Sequence, residues 1–140
     1  MDRIVLDTNV FIAALLSRRG AAYKLLLLLV THKFENNISV PLILEYEAIA
    51  ERLLHDVALT SRDIAEILDY ICTESQPRQV FFLWRPILKD PKDDMVLELA
   101  VTGNCDFIVS YNPTDFKGIE QFGILTITPK AFLERIGEVP

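Results

Sequence analysis

Along the chain, short unbroken apolar runs alternate with longer stretches in which apolar residues recur at helical spacing. The run at 4–6 reads as a buried strand and 9–17 as a helix. After the SRRG break, 21–32 reads as a second, leucine-rich helix. Residues 37–40 look like a strand, stopped by Pro41, which suits the first position of a third helix reaching to about residue 54. Thr60 caps a fourth helix, with Asp63 three residues on as an aspartate version of the capping box; Ile64, Ile67, Leu68 and Ile71 mark its apolar face. Residues 80–84 read as a strand, 92–103 as a helix, 107–111 and 124–127 as strands, and 131–136 as a closing helix. This alternation predicts an α/β fold of three layers, α/β/α, around a central, mainly parallel sheet of about five strands. In such sheets the ligand crevice lies beyond the carboxyl ends of the strands. Asp7 stands at such an end.

The 140 residues fit one domain, 1–140, with no repeat, linker or low-complexity segment. A hydrophobic share of 51% and a mean hydropathy of +0.27 exclude a disordered chain. The longest apolar run, LLLLLV at 25–30, is six residues, far short of the roughly 20 that span a membrane. A strand-like start leaves no signal peptide, so a cytoplasmic protein is expected. Cys72 and Cys105 form no CxxC pattern and lie in apolar segments, which predicts buried thiols in a reducing compartment. His32 and His55 have no partner at zinc-ligand spacing. With 14 basic against 20 acidic residues, the net charge of −6 excludes a protein that simply coats nucleic acid. It does not exclude an enzyme whose carboxylates hold divalent cations.

Four stretches carry acids that resist a plain surface assignment. Asp7 is either a helix N-cap or a metal ligand at the mouth of a sheet. The helix 9–17 is apolar nearly all round except for a stripe through Asn9, Ala13 and Ser17, and 92–103 repeats this with Asp94, Glu98 and Thr102. Each stripe is either the helix's window on water or the wall of a polar crevice. In the third helix, Leu42, Tyr46, Ile49 and Leu53 mark the core face and Glu47 and Glu51 lie opposite, while Glu45 sits about 60–70° from the core centre. Asp90 reads as an N-cap, and Asp93 as an acid complementing the helix dipole. Asp115 follows the strand 107–111 in a loop, where it serves as a turn former or a ligand. In a doubly wound sheet all four positions can converge on one crevice.

The blocks IVLDTNVFIAALLS, PLILEYEAIAERL, DPKDDMVLELA and DFIVSYNPTDF, in this order and spacing, resemble the PIN-domain family over essentially the whole chain. The resemblance is to its short members that act as toxins of toxin–antitoxin pairs, the VapC-like ribonucleases. It implies catalytic, metal-binding acids at Asp7, Glu45, Asp94 and Asp115, with Asn9 organising the first. Many relatives carry an aspartate at the strand end where this chain has Asn112; others read N-x-x-D-F as here, which places the role on Asp115. Ser17, Glu98 and Asn112 are supporting candidates beside these acids.

All-oxygen ligands favour Mg²⁺ or Mn²⁺ over zinc. One or two such ions would let clustered carboxylates coexist and polarise a phosphodiester. The implied reaction is hydrolysis of RNA to 5′-phosphate and 3′-hydroxyl ends. The implied partners are an RNA substrate, a small antitoxin protein covering the crevice, and a second copy paired through the leucine-rich helix. Arg18, Arg19 and Lys24 are either phosphate contacts or a solvated turn, and Tyr111 either stacks on a base or packs.

A haloacid-dehalogenase-type phosphatase needs a second aspartate where Asn9 stands. A receiver domain needs an acidic pair near the first strand and an aspartate ending the third, where FFLWRP stands. The remaining alternative is a catalytically weak PIN-like module that binds RNA or a partner protein.

Overall fold

The computed structural model describes residues 1–53, 58–81 and 87–139. Strand β1 (Arg3–Leu6), buried at Ile4, Val5 and Leu6, hands straight on to helix α1 (Thr8–Leu16). Helix α2 (Ala21–Leu27) then tightens into a 3₁₀ turn at Leu28–Thr31 and stops at His32 in the left-handed conformation, φ 54°. The Thr31 hydroxyl donates to the Leu28 carbonyl at 2.6 Å, a local bond that competes with helix continuation. Strand β2 (Glu35–Ile38) starts two residues earlier than the hydropathy suggests, because it buries Asn36 and Asn37. Ser39 caps α3 (Val40–Arg52), and Thr60 with Asp63 forms the expected capping box of α4 (Ser61–Thr73).

The next strand departs from expectation. Strand β3 is the pair Gln76–Pro77, whereas Val80 and Phe81 lie outside any strand and 82–84 lie outside the described residues. Pro77 is tolerated because β3 is the sheet edge, where its missing N–H costs no ladder bond. Helix α5 (Pro91–Thr102), strand β4 (Phe107–Val109), strand β5 (Leu125–Ile127) and helix α6 (Pro129–Arg135) complete the chain, with 3₁₀ turns at Pro113–Phe116 and Ile119–Phe122 between β4 and β5. The thiols also part company. Cys105 is buried, its thiol pushed up to about 12 mainly by desolvation. Cys72 is exposed, because the buried stripe of α4 runs through Ile64, Leu68 and Ile71 and leaves its neighbour outside.

The sheet order is β3-β2-β1-β4-β5 and every neighbouring pair is parallel. The chain steps outward from β1 to β2 and β3, then crosses to β4 and β5 on the other side. Right-handed crossovers that travel in opposite directions lie on opposite faces, which gives the three-layer α/β/α architecture. On one face Phe11 stacks on Tyr46 at 4.6 Å, and Phe132 meets Phe34 and Phe107 edge-on at 5.2 and 6.1 Å. The point where the strand order reverses lies between β1 and β4, with Leu6 opposite Val109. Ligands of open α/β sheets bind beyond the carboxyl ends at this point, which is where Asp7 and Ser110 follow their strands.

Candidate functional site

Asp7 takes the first of the two roles the sequence allowed. It is the N-cap of α1, accepting from the Thr8 amide at 2.9 Å, and it is buried at the strand end. Its own amide donates to the Val109 carbonyl at 2.9 Å, which locks it beside β4. There the buried Ser110 hydroxyl donates to Asp7 Oδ2 at 2.7 Å. Asn9 Nδ2 reaches the same oxygen at 3.2 Å and Ser110 Oγ at 3.3 Å, and Asn9 Oδ1 accepts from the Tyr111 amide at 3.3 Å. The Asn112 amide donates to Ser110 Oγ at 3.0 Å, so Asn112 braces the serine through its backbone. Desolvation raises the Asp7 pKa against the bonds from Ser110 and Thr8, and the charge of Asp115 raises it further.

Asp115 sits exposed in the 3₁₀ turn after β4. The third acid of this group is Asp93. Half-buried in the first turn of α5, its carboxyl is pushed up to about 7, first by desolvation and then by Asp7, Asp115, Asp90 and Asp94. A cavity of about 500 Å³ is lined by Asp90 and Asp93 from the start of α5 and by Thr114 and Asp115 from the opposite turn.

Asp94, the acid expected to face the crevice, is buried with Oδ1 accepting the Leu88 amide at 2.9 Å. It fixes the strap that leads into α5. Glu45 lines a neighbouring cavity of about 350 Å³ together with Ser39, Lys92, Met95 and the buried Glu98. Tyr46, whose hydroxyl donates to the Leu6 carbonyl, anchors α3 at the end of β1. Glu45, one residue earlier, is half-buried and pairs with Lys92 at 3.5 Å. Helix α5 thus presents Asp90 and Asp93 to one cavity and Lys92, Met95 and Glu98 to the next.

Ser17, Arg18 and Arg19 are not part of this gathering. They follow the nine-residue α1, about 15 Å or more along its axis from Asp7 at 1.5 Å per residue. Arg18 instead lines a groove with Tyr23, Asp63 and Glu66.

Sequence reading missed Asp93 and Ser110. Asp90 and Asp93 are three apart and share a helix side, a signal available in DPKDD. Ser110 is a small polar residue directly after the apolar FIV, at the strand end beside Asp7.

The arrangement gathers acids from three elements: the charge of Asp115 raises the proton affinity of Asp7, and Asp7, Asp115, Asp90 and Asp94 raise that of Asp93. Among the described residues, no group of three acidic, histidine or cysteine side chains is drawn tightly enough to hold a metal ion as it stands. The donor chemistry nevertheless fits a hard divalent cation, because mutually repelling carboxylates are what such an ion neutralises. The fold itself has a solved counterpart. VapBC2 from Rickettsia felis, solved bound to a DNA fragment from their promoter, matches with a TM-score of 0.62 at 15% identity, over 90% of this chain and 98% of that one. No curated protein matches the chain. Residues 3–114 match the family model described as PIN domain. The chain belongs to the PIN domain family, whose members are generally nucleases.

Proposed function

We propose that the chain is a divalent-cation-dependent endoribonuclease, the toxin of a toxin–antitoxin pair, with Asp7, Asp93 and Asp115 holding the cation and Glu45 at the margin. The observation that carries this reading is the gathering of carboxylates at the switch point of the sheet, where the charge of Asp115 bears on Asp7 and the charges of Asp7 and Asp115 bear on Asp93. When bound, Mg²⁺ or Mn²⁺, as one or two ions, neutralises these acids and polarises a phosphodiester. Ser110 and Asn9 hold Asp7 Oδ2 while Thr8 takes Oδ1, so about one of the roughly four lone-pair positions of the carboxylate stays open. Asp93 must release its proton before it can act as a ligand. Asp94 holds the approach to α5 through its Oδ1.

Kinship with the VapBC2 fold supports a small antitoxin partner. The half-exposed Leu27 and Val30 on the leucine-rich segment support pairing with a second copy. No described helix is long and apolar enough to cross a membrane, which is consistent with work in the cytoplasm. A module that binds RNA without cutting it is the second reading, favoured by the absence of a preassembled three-acid group among the described residues.

The test is calorimetric Mn²⁺ titration together with RNA cleavage for the unsubstituted chain and Asp7→Asn. Saturable binding and EDTA-sensitive cleavage, both lost in the variant while its circular dichroism is unchanged, is the expected result. Binding without cleavage selects the second reading. Cleavage that survives EDTA or Asp7→Asn removes the site.

A further inference from the structure

An acidic nuclease of net charge −6 has to hold a polyanion against its own field. The arginines that sequence reading offered for this task, Arg18 and Arg19, follow the far end of α1. Two lysines stand at the acids themselves. Lys89 lines the 500 Å³ cavity from the strap that enters α5, and Lys117 lines it from the end of the 3₁₀ turn that carries Asp115. Both are exposed. Among the described residues neither forms an ion pair or side-chain hydrogen bond, in contrast to Lys92, which Glu45 holds at 3.5 Å. Each wall of the cavity therefore carries an aspartate and a lysine, Asp90 with Lys89 on one side and Asp115 with Lys117 on the other.

We propose that Lys89 and Lys117 form a two-sided phosphate clamp, which seats a single-stranded RNA backbone across the cavity with the phosphates flanking the scissile bond on the two ammonium groups. This rests on the nuclease reading above and adds to it the residues that grip the substrate. Cations on both walls and acids between them give a strand one favourable path: flanking phosphates at the lysines and the central one above the carboxylates, where a cation would lie. Lysine suits this role because its flexible stem and rotatable donors follow a mobile backbone without fixing a base. The clamp is accordingly indifferent to sequence, and base preference has to come from elsewhere.

The experiment measures fluorescence anisotropy of a short labelled single-stranded oligoribonucleotide over a range of salt concentrations. All arms carry Asp7→Asn so that the strand stays whole. Each phosphate contact on a single strand contributes about 0.7 to the slope of log affinity against log salt. Lys89→Ala and Lys117→Ala should each flatten the slope by about that amount, with affinity falling several-fold. Lys89→Arg and Lys117→Arg should keep the slope, and Arg18→Ala should leave it unchanged. In the otherwise unsubstituted chain, calorimetric Mn²⁺ affinity of the lysine variants should stay the same or tighten, since only repelling charge has been removed. An unchanged slope in both lysine-to-alanine variants, or flattening by Arg18→Ala in their place, overturns the clamp while leaving Mn²⁺ binding and cleavage intact. Loss of those two properties in the unsubstituted chain overturns the nuclease reading instead.

Discussion

Asn37 and Asp7 are both polar residues buried in the sheet, and their surroundings differ in kind. The side-chain amide of Asn37 donates to the Ile4 carbonyl and to Glu35 Oε2, each at 3.3 Å, and its Oδ1 accepts from Arg78 Nε at 2.8 Å. Glu35 is in turn paired with Arg3 at 3.3 Å and Arg78 at 3.4 Å. Gly103 passes so close that a Cβ there would lie 2.9 Å from Asn37 Oδ1, so only glycine lets α5 end against this network. Every charge in it has a partner from the chain. Asp7 has neutral donors, but the charges that reach it and Asp93 are all carboxylates. Among the described residues no basic side chain pairs with Asp7, Asp93 or Asp115. Buried polar groups cost free energy unless satisfied. A group closed by its own chain holds the fold; one left repelling its neighbours is built for something the chain does not supply.

The most forceful way to break this contrast is to neutralise the acids. Asp93→Asn should reduce Mn²⁺-dependent RNA cleavage by at least about 100-fold, beyond what loss of an outer supporting group costs in metal sites. It should leave the fold intact, because it removes repulsion. Asp94→Asn keeps an acceptor for the Leu88 amide and should change cleavage only a few-fold. If the two variants exchange behaviour, Asp94 is the ligand and the contrast has been drawn at the wrong residue.

Ser110 sharpens it from within the site. Ser110→Ala removes the 2.7 Å donor to Asp7 without touching any charge. Mn²⁺ affinity measured by calorimetry should fall about 10-fold, the lower end for groups that orient a ligand, and Ser110→Thr should recover most of it. Equal affinity in all three would mean that Asn9 alone orients Asp7.

The closed network should answer in the other currency. Asn37→Ala leaves Arg78 Nε without its acceptor, at about 1–3 kcal/mol of unfolding free energy. Urea denaturation reads that loss, while Mn²⁺ affinity of the folded protein should hold. A large fall in Mn²⁺ affinity without loss of stability would show the two clusters to be one.

Much of the fold could be read from the chain because local chemistry and tertiary packing agree there. Thr60 with Asp63, Pro41 at the start of the third helix and the apolar runs of β1, β4 and β5 fall where the pattern puts them, give or take two residues. The edge strand could not be read, since two residues at Gln76–Pro77 carry no periodicity and the apolar run after them misleads. Strand β2 hid its length in ENNI, where Asn37 is buried because Arg78 and Glu35 meet its side chain, and Asn36 because Ser75 takes its Nδ2, partners that come from distant positions or across the pleat. Asp7 and the turn of Asp115 were legible from their place after strands. Asp93 against Asp94 was not. Helical angle separates neighbours by about 100°, but which side meets the crevice depends on the direction in which α5 crosses the sheet, and only the three-dimensional fold gives that.

The smallest expected effect tests the contrast through protons. The carboxyl of Asp93 is raised to about 7 in the folded chain, against an ordinary value of 3.8. Between those values the metal-free native state binds a proton that the unfolded chain does not. The resulting contribution to stability is complete below 3.8 and is lost as the pH rises through about 7. Thermal melts in EDTA should therefore show a midpoint that declines over this interval. Asp93→Asn should flatten the decline, leaving a remainder from Asp7, whose pKa is raised in the same direction. Saturating Mn²⁺ should reverse the slope, because the ion binds the deprotonated carboxylate and its stabilisation grows as the competing proton departs. Identical slopes in the unsubstituted chain and the variant would show that the acids at the switch point are as well compensated as Asn37, and the distinction between the two clusters would fall.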